Sequence, residues 1–220
     1  IILIMVGLGM SLMSMATHLF MLFVCIELAS LSSYILVAFH KESKVGGEAG
    51  MKYFIVGSVA SAVGIYGMSL LYLWSGDLSL DALAIKWSES SSIDPLTGIA
   101  VGLMLVAFGF KVGAAPFHLA APDAYSGASS PVAGLLATAS KAMGFVALMR
   151  ILVSVTMPTE GEAFWYITIA VIAVVTMTWG NLAALTSTNP KRMLAYSSVS
   201  HAGYMLAGLA AIGSGLGSEE

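Results

Sequence analysis

A chain of 220 residues that is 58% hydrophobic and only 10% charged carries more apolar surface than a soluble core of that size can hide, since soluble domains run near ~25% charged. Its solvent is therefore a lipid bilayer. A net charge of −3 argues against nucleic acid as a partner, and the single cysteine, Cys25, excludes a disulfide framework or a cysteine-ligated iron–sulfur site within these residues.

In chain order, seven apolar segments are predicted: 1–15, 17–39, 48–74, 95–121, 131–153, 163–186 and 190–213. All but the first reach the ~20 residues a spanning helix needs. The expected fold is all-α, a polytopic membrane protein of about seven transmembrane helices. Segment 1–15 opens without a Met or a charged stretch, on Ile1-Ile2-Leu3-Ile4. It reads as the inside of a helix, so the chain is expected to be part of a longer protein.

Segment 17–39 carries Glu27 in its middle. The loop behind it holds His40, Lys41, Glu42 and Lys44, and segment 48–74 follows with Lys52 near its start. Gly57, Ser58, Ser61, Gly64 and Gly67 in that segment allow close helix packing. The polar connection 77–92 has two readings. One is a short amphipathic helix at the interface, with Leu80, Leu83, Ala84 and Trp87 on one face behind Ser79 and Trp87 as anchor. The other is an irregular loop.

Segment 95–121 contains Lys111, followed by Gly113 and Pro116. Pro116 cannot donate to the carbonyl of Val112, and Gly113 eases distortion. This predicts either an ordinary proline kink or a break just after Lys111 that turns free carbonyls toward the ammonium, as at midplane ion sites of transporters. Segment 131–153 holds Lys141, and segment 190–213 holds His201. Asp94-Pro95, Ser130-Pro131 and Asn189-Pro190 each set a capping side chain before a proline at a helix start. The loops with Lys41/Lys44 and with Lys191/Arg192 are expected on the cytoplasmic side, together with Asp123 in loop 122–129. Asp77, Asp81, Glu89, Asp94, Glu160, Glu162, Glu219 and Glu220 are expected on the other.

A charge at the centre of a spanning helix costs roughly 3 kcal/mol or more. Counting a ~1.5 Å rise per residue from the inner helix ends puts Glu27 about 18 Å deep, and Lys111 and Lys141 about 15 Å. The middle of the hydrocarbon lies about 15 Å from either face. The three therefore fall in one central layer, a row along the membrane rather than a pore across it. His201 sits near the same layer and reads as a relay member or as a hydrogen-bonded packing group. Lys52 lies shallower. It either snorkels to the surface or leans toward Glu27 and tunes it. Burial disfavours the charged form of a lysine and a nearby carboxylate restores it. Such lysines switch between NH3+ and NH2 as their neighbours change charge, and a row of them bridged by water passes protons laterally.

Four runs carry a family resemblance. They are Glu27-Leu28-Ala29-Ser30-Leu31-Ser32-Ser33-Tyr34; Glu48-Ala49-Gly50-Met51-Lys52-Tyr53-Phe54; Phe110-Lys111-Val112 with Pro116-Phe117-His118 and Pro122-Asp123-Ala124-Tyr125; and Lys191-Arg192-Met193-Leu194-Ala195-Tyr196-Ser197-Ser198 with His201-Ala202-Gly203-Tyr204. Together they resemble the antiporter-like membrane subunits of respiratory complex I, most closely the subunit N type. The resemblance implies an inverted repeat of five-helix units, with residues 1–153 the first unit and 163–213 the first two helices of an incomplete second. It implies Glu27 and Lys52 as a coupling pair, Lys111 on the broken helix and Lys141 as the next relay lysine. It implies proton translocation driven by quinone reduction elsewhere. Quinone, flavin and iron–sulfur clusters are expected in partner membrane and peripheral subunits, with no cofactor or metal in this chain. The implied location is the inner (plasma) membrane of a prokaryote. The sequence departs from the family in length and at Ala120, where a Trp is common. A Na+/H+ antiporter assembly or membrane-bound hydrogenase built on the same module is a second reading. A structural subunit whose charges merely lock helices together is a third.

Overall fold

Residues 1–90, 94–153 and 163–213 are described by the computed structural model. Its helices are α1 (Ile2–Met15), α2 (Leu19–Val37), α3 (Lys44–Ser75), α4 (Leu80–Ser88), α5 (Pro95–Val112), α6 (Ala121–Gly127), α7 (Ser130–Leu135), α8 (Lys141–Ile151), α9 (Ala163–Leu185) and α10 (Pro190–Gly213). A π-helical turn, Leu136–Ser140, joins α7 to α8 in one continuous span. Among the described residues no strand is formed beyond an isolated bridge between His18 and Ser79. Glu160, Glu162, Glu219 and Glu220 lie outside the described residues.

All seven expected segments are helical, and five of the described spans are long and apolar enough to cross a membrane: Leu19–Val37, Lys44–Ser75, Pro95–Val112, Ser130–Ile151 and Trp165–Leu185. α1 is apolar but has only 14 residues. α10 has 24, though its basic start and Ser197, Ser198, Ser200 and His201 make it less apolar.

Helix starts follow local chemistry. The Asp94 carboxylate accepts from the Leu96 amide at 3.2 Å with Pro95 behind it, and Asn189 Oδ1 accepts from the amides of Lys191 and Arg192 at 3.0 and 3.4 Å. The third expected cap fails: α7 begins at Ser130 itself, with Ser129 before it and no side-chain cap bond. Ser43 caps α3, which runs 32 residues to Gly76 at φ +77°. Connection 77–92 resolves in favour of the helix. Ser79 caps α4 through the Ala82 amide, and Asp77 holds Ser79 by its amide and hydroxyl. Those Ser79 donors hold the Asp77 carboxyl below the usual carboxylate range, helped by His18. Trp87 is not an interfacial anchor. It is buried between Trp74 and Trp165, with ring centroids 5.8 and 6.5 Å away, because Leu80, Leu83 and Trp87 all face the bundle.

α3 packs along α5, α1 along α2 and α9 along α10. In a bilayer close backbone approach drives this association, since lipid is as apolar as the side chains. A Cβ on Gly64 would sit 2.6 Å from the Ala107 Cβ, and one on Gly67 2.6 Å from the Ala100 carbonyl oxygen. Asp123 of α6 pairs with Arg192 of α10 at 2.9 Å and with Lys52 of α3 at 3.4 Å, and Lys191 donates to the Ala128 carbonyl at 3.0 Å. These contacts bring the starts of α3, α6 and α10 to one end, the grouping expected from the loop charges. At the other end Arg150 donates to the Met13 and Ser14 carbonyls and so satisfies the end of α1.

Candidate functional site

The site begins where α5 stops. After Val112, Gly113 takes φ +76°, and the Ala114 amide bonds back to the Gly109 carbonyl at 2.8 Å. This glycine-capped ending satisfies part of the free helix end. The chain then turns through 114–120 before α6. The expected break is therefore real, and it falls immediately after Lys111. The Thr176 hydroxyl of α9 accepts from the Ala115 amide at 3.0 Å, tying the broken segment to the second group of helices.

Lys111 is buried at 7% exposure, and its ammonium donates to Ser30 Oγ of α2 at 2.8 Å. Ser30 is one turn beyond Glu27, on the same helical face. Glu27 is half-buried and accepts from the Ser61 hydroxyl of α3 at 2.7 Å. Glu27, Ser30, Ser61, Tyr34 and Lys111 line one cavity of about 20 Å³, room for about one water.

A second cavity of about 10 Å³ lies on the other side of Lys111. Lys111, Lys141, His118, Tyr53, Tyr125 and Ser140 contribute to its walls. Lys141 is 4% exposed, and its ammonium donates to the Ser198 carbonyl of α10 at 2.6 Å. It follows directly on the π turn, a feature frequent at functional sites because it re-aims side chains. A Cβ on Gly113 would stand 3.3 Å from the Lys141 ammonium, and one on Gly144 3.0 Å from the Lys111 side chain. Two glycines thus give the lysines room at the break. His118 is buried, and its Nδ1 has no hydrogen-bond partner among the described residues. A buried unpaired ring nitrogen costs about 1–3 kcal/mol.

The structure thus places Lys111 in the wall of two cavities, one shared with Glu27 and the other with Lys141, and leaves Lys52 and His201 out of both. Lys52 does not lean toward Glu27. It is exposed and pairs with Glu48 at 2.7 Å and with Asp123 at 3.4 Å. The reason is register. Glu27 meets α3 at Ser61, nine residues beyond Lys52, or about 14 Å along the helix. His201 is exposed on α10, edge-on to Tyr204 at 5.5 Å, and lines neither cavity. It lies one turn beyond Ser198. Sequence reasoning missed Ser30 and Ser61 as partners, and His118 as a cavity wall. Spacing of three from Glu27 was the available signal for Ser30. For Ser61 there was none, since it read as a packing residue among glycines.

The sequence model of the family described as NADH:quinone oxidoreductase/Mrp antiporter, TM, matches residues 16–218. NADH-quinone oxidoreductase subunit N of Heliobacterium modesticaldum is 48% identical over 204 residues, 92% of this chain and 42% of the relative. The structure of respiratory complex I from Thermus thermophilus with bound aureothin contains a chain that superposes with TM-score 0.80 at 37% identity, over 94% of this chain and 44% of that one. A chain of the Mrp complex from Dietzia sp. superposes with TM-score 0.86 at 27% identity, over 95% and 38%. The chain spans about two fifths of the length of the curated relatives it matches.

Proposed function

Since the chain belongs to the NADH:quinone oxidoreductase/Mrp antiporter family, we propose that it forms the proton-relaying core of a subunit N-type membrane protein of NADH-quinone oxidoreductase. The observation that carries this reading is that Lys111 lines two buried cavities, one shared with Glu27 and the next with Lys141. A protonatable carboxylate, an ammonium and a second ammonium in sequence, each step separated by space for about one water, is a lateral proton path.

In this path Glu27 sets the charge that Lys111 faces. With Glu27 ionised, the Lys111 ammonium is stabilised by that charge across the shared cavity, in addition to its bond to Ser30 Oγ. When that charge is neutralised, the Lys111 ammonium loses its stabilising partner and passes its proton across the second cavity to Lys141 in its neutral NH2 form. Repulsion between two ammonium groups facing one small cavity keeps only one of the two lysines charged at a time. The Ser198 carbonyl holds the proton on Lys141. Lys52 acts at the Asp123 end, where it holds α3 to α6.

The driving redox chemistry, with its flavin, iron–sulfur clusters and quinone, belongs to partner subunits of a multi-subunit complex in a prokaryotic plasma membrane. The domain reading, with 1–153 as a first repeat unit and 163–213 opening a second, remains part of this proposal. The Mrp-type alternative draws on a high TM-score, but at 27% identity against 48% for the subunit N relative. We favour the latter.

The test uses the full-length subunit in the assembled, liposome-reconstituted complex. Lys141→Ala is expected to lower protons moved per turnover while electron transfer continues. Lys111→Arg keeps the charge but does not release its proton near neutral pH. It is expected to block pumping. Intact pumping with Arg would mean that the lysine only locks helices together.

A further inference from the structure

Besides the two polar cavities there is a third, of about 20 Å³, on the far side of the break. Its walls are Leu105, Gly109, Val112, Ala114, Phe117, Leu148, Ile169, Ile172 and Leu206, all apolar, from α5, α8, α9, α10 and the turn between α5 and α6. A space of that size with no polar partner stays dry, because a water inside it would lose its hydrogen bonds. Phe117 is the one residue that lines both this cavity and the Lys111–Lys141 cavity. Its ring lies against Gly109, where a Cβ would collide with Phe117 Cδ2. The absence of a side chain at Gly109 is what seats the ring there.

We infer that Phe117 is a hydrophobic plug. It separates the water-holding lysine cavity from a dry one and so keeps protons in the lateral row, preventing passive escape across the membrane. This rests on the relay reading above. Hydrophobic constrictions of this kind act by dewetting. The chemistry of the two sides is opposite. Lys111, Lys141, His118 and Ser140 face one cavity, while Leu148, Ile169, Ile172 and Leu206 close the other. The ring is mounted on the turn next to His118, so the plug is set by the same break that ends α5 behind Lys111.

The experiment is passive proton permeability of liposomes holding the intact complex with no electron donor, read from the decay of an imposed pH gradient. Phe117→Ala is expected to speed the decay several-fold over the unaltered complex, and Phe117→Leu to leave it unchanged. Val112→Thr keeps the shape but puts a hydroxyl in the dry wall. It is expected to give an intermediate leak with Phe117 in place, and it decides the matter if Phe117→Ala does not assemble. Assembled Phe117→Ala and Val112→Thr complexes that leak no more than the unaltered one would overturn the plug. The relay reading is judged separately, by pumping in Lys141→Ala: a plug can fail while that loss persists. If Lys141→Ala pumps normally and Phe117→Ala leaks, the barrier stands without the relay.

Discussion

A buried ammonium must have a partner, and Lys111 has Ser30 Oγ at 2.8 Å. Hydrogen bonds to charged groups contribute about 1.5–3 kcal/mol, so Ser30→Ala is expected to cost roughly that much at Lys111 and to slow pumping in an otherwise assembled complex. Ser30→Thr keeps the hydroxyl and is expected to retain most of the rate. Proton pumping normalised to electron transfer distinguishes the two, and equal rates in both variants would remove Ser30 from the path. At this scale the sequence was legible where a residue carries its own cost. Glu27, Lys111 and Lys141 stand out because a charge in an apolar run is expensive. Ser30 and Ser61 do not, because a serine in a membrane helix looks the same whether it packs a neighbour or bonds an ion. The Lys52–Asp123 pair joins residues 71 positions apart, and nothing local to either spells it out. Depth counting carries no azimuth, and the His201 side chain turns outward on α10.

At the scale of elements the interruption of α5 is the organising feature. The Gly113–Pro116 spacing announced it, but two companions were hidden. The π turn before Lys141 has no composition signal, since Leu136-Ala137-Thr138-Ala139-Ser140 would suit an ordinary helix. The fit of α3 against α5 depends on which glycines face the partner. Gly113→Ala would force a side chain into φ +76° and crowd the Lys141 ammonium at 3.3 Å. The strain alone costs about 1–2 kcal/mol. Pumping is expected to fall further than assembly does, as read from complex yield against protons per turnover. Gly64→Ala tests packing only, since its Cβ would stand 2.6 Å from the Ala107 Cβ. Overpacking of this sort costs about 1–3 kcal/mol. A lower thermal stability of the purified complex is expected, with protons per turnover unchanged.

Taken as a molecule, the described helices form two groups joined across the break. One holds α2, α3 and α5, with Glu27 and Lys111, and the other α9 and α10, with the Ser198 carbonyl. α8 carries Lys141 between them. Asp123 ties three helices at one end through Lys52 and Arg192. Both pairs are solvent-accessible, so each contributes no more than ~1 kcal/mol. Asp123→Asn is expected to lower the melting temperature slightly, with the difference shrinking as salt screens the pairs. The membrane class and the seven helical segments followed from composition, because an apolar run of about 20 residues has few alternatives. How those segments meet did not, since lateral packing among apolar helices is set by contacts between distant residues. Lys111 lines the cavities on both sides. The deciding measurement is protons moved per electron pair in the reconstituted complex carrying Lys111→Ala. A lower ratio with electron transfer still running is the predicted result. An unchanged ratio would contradict the lateral path.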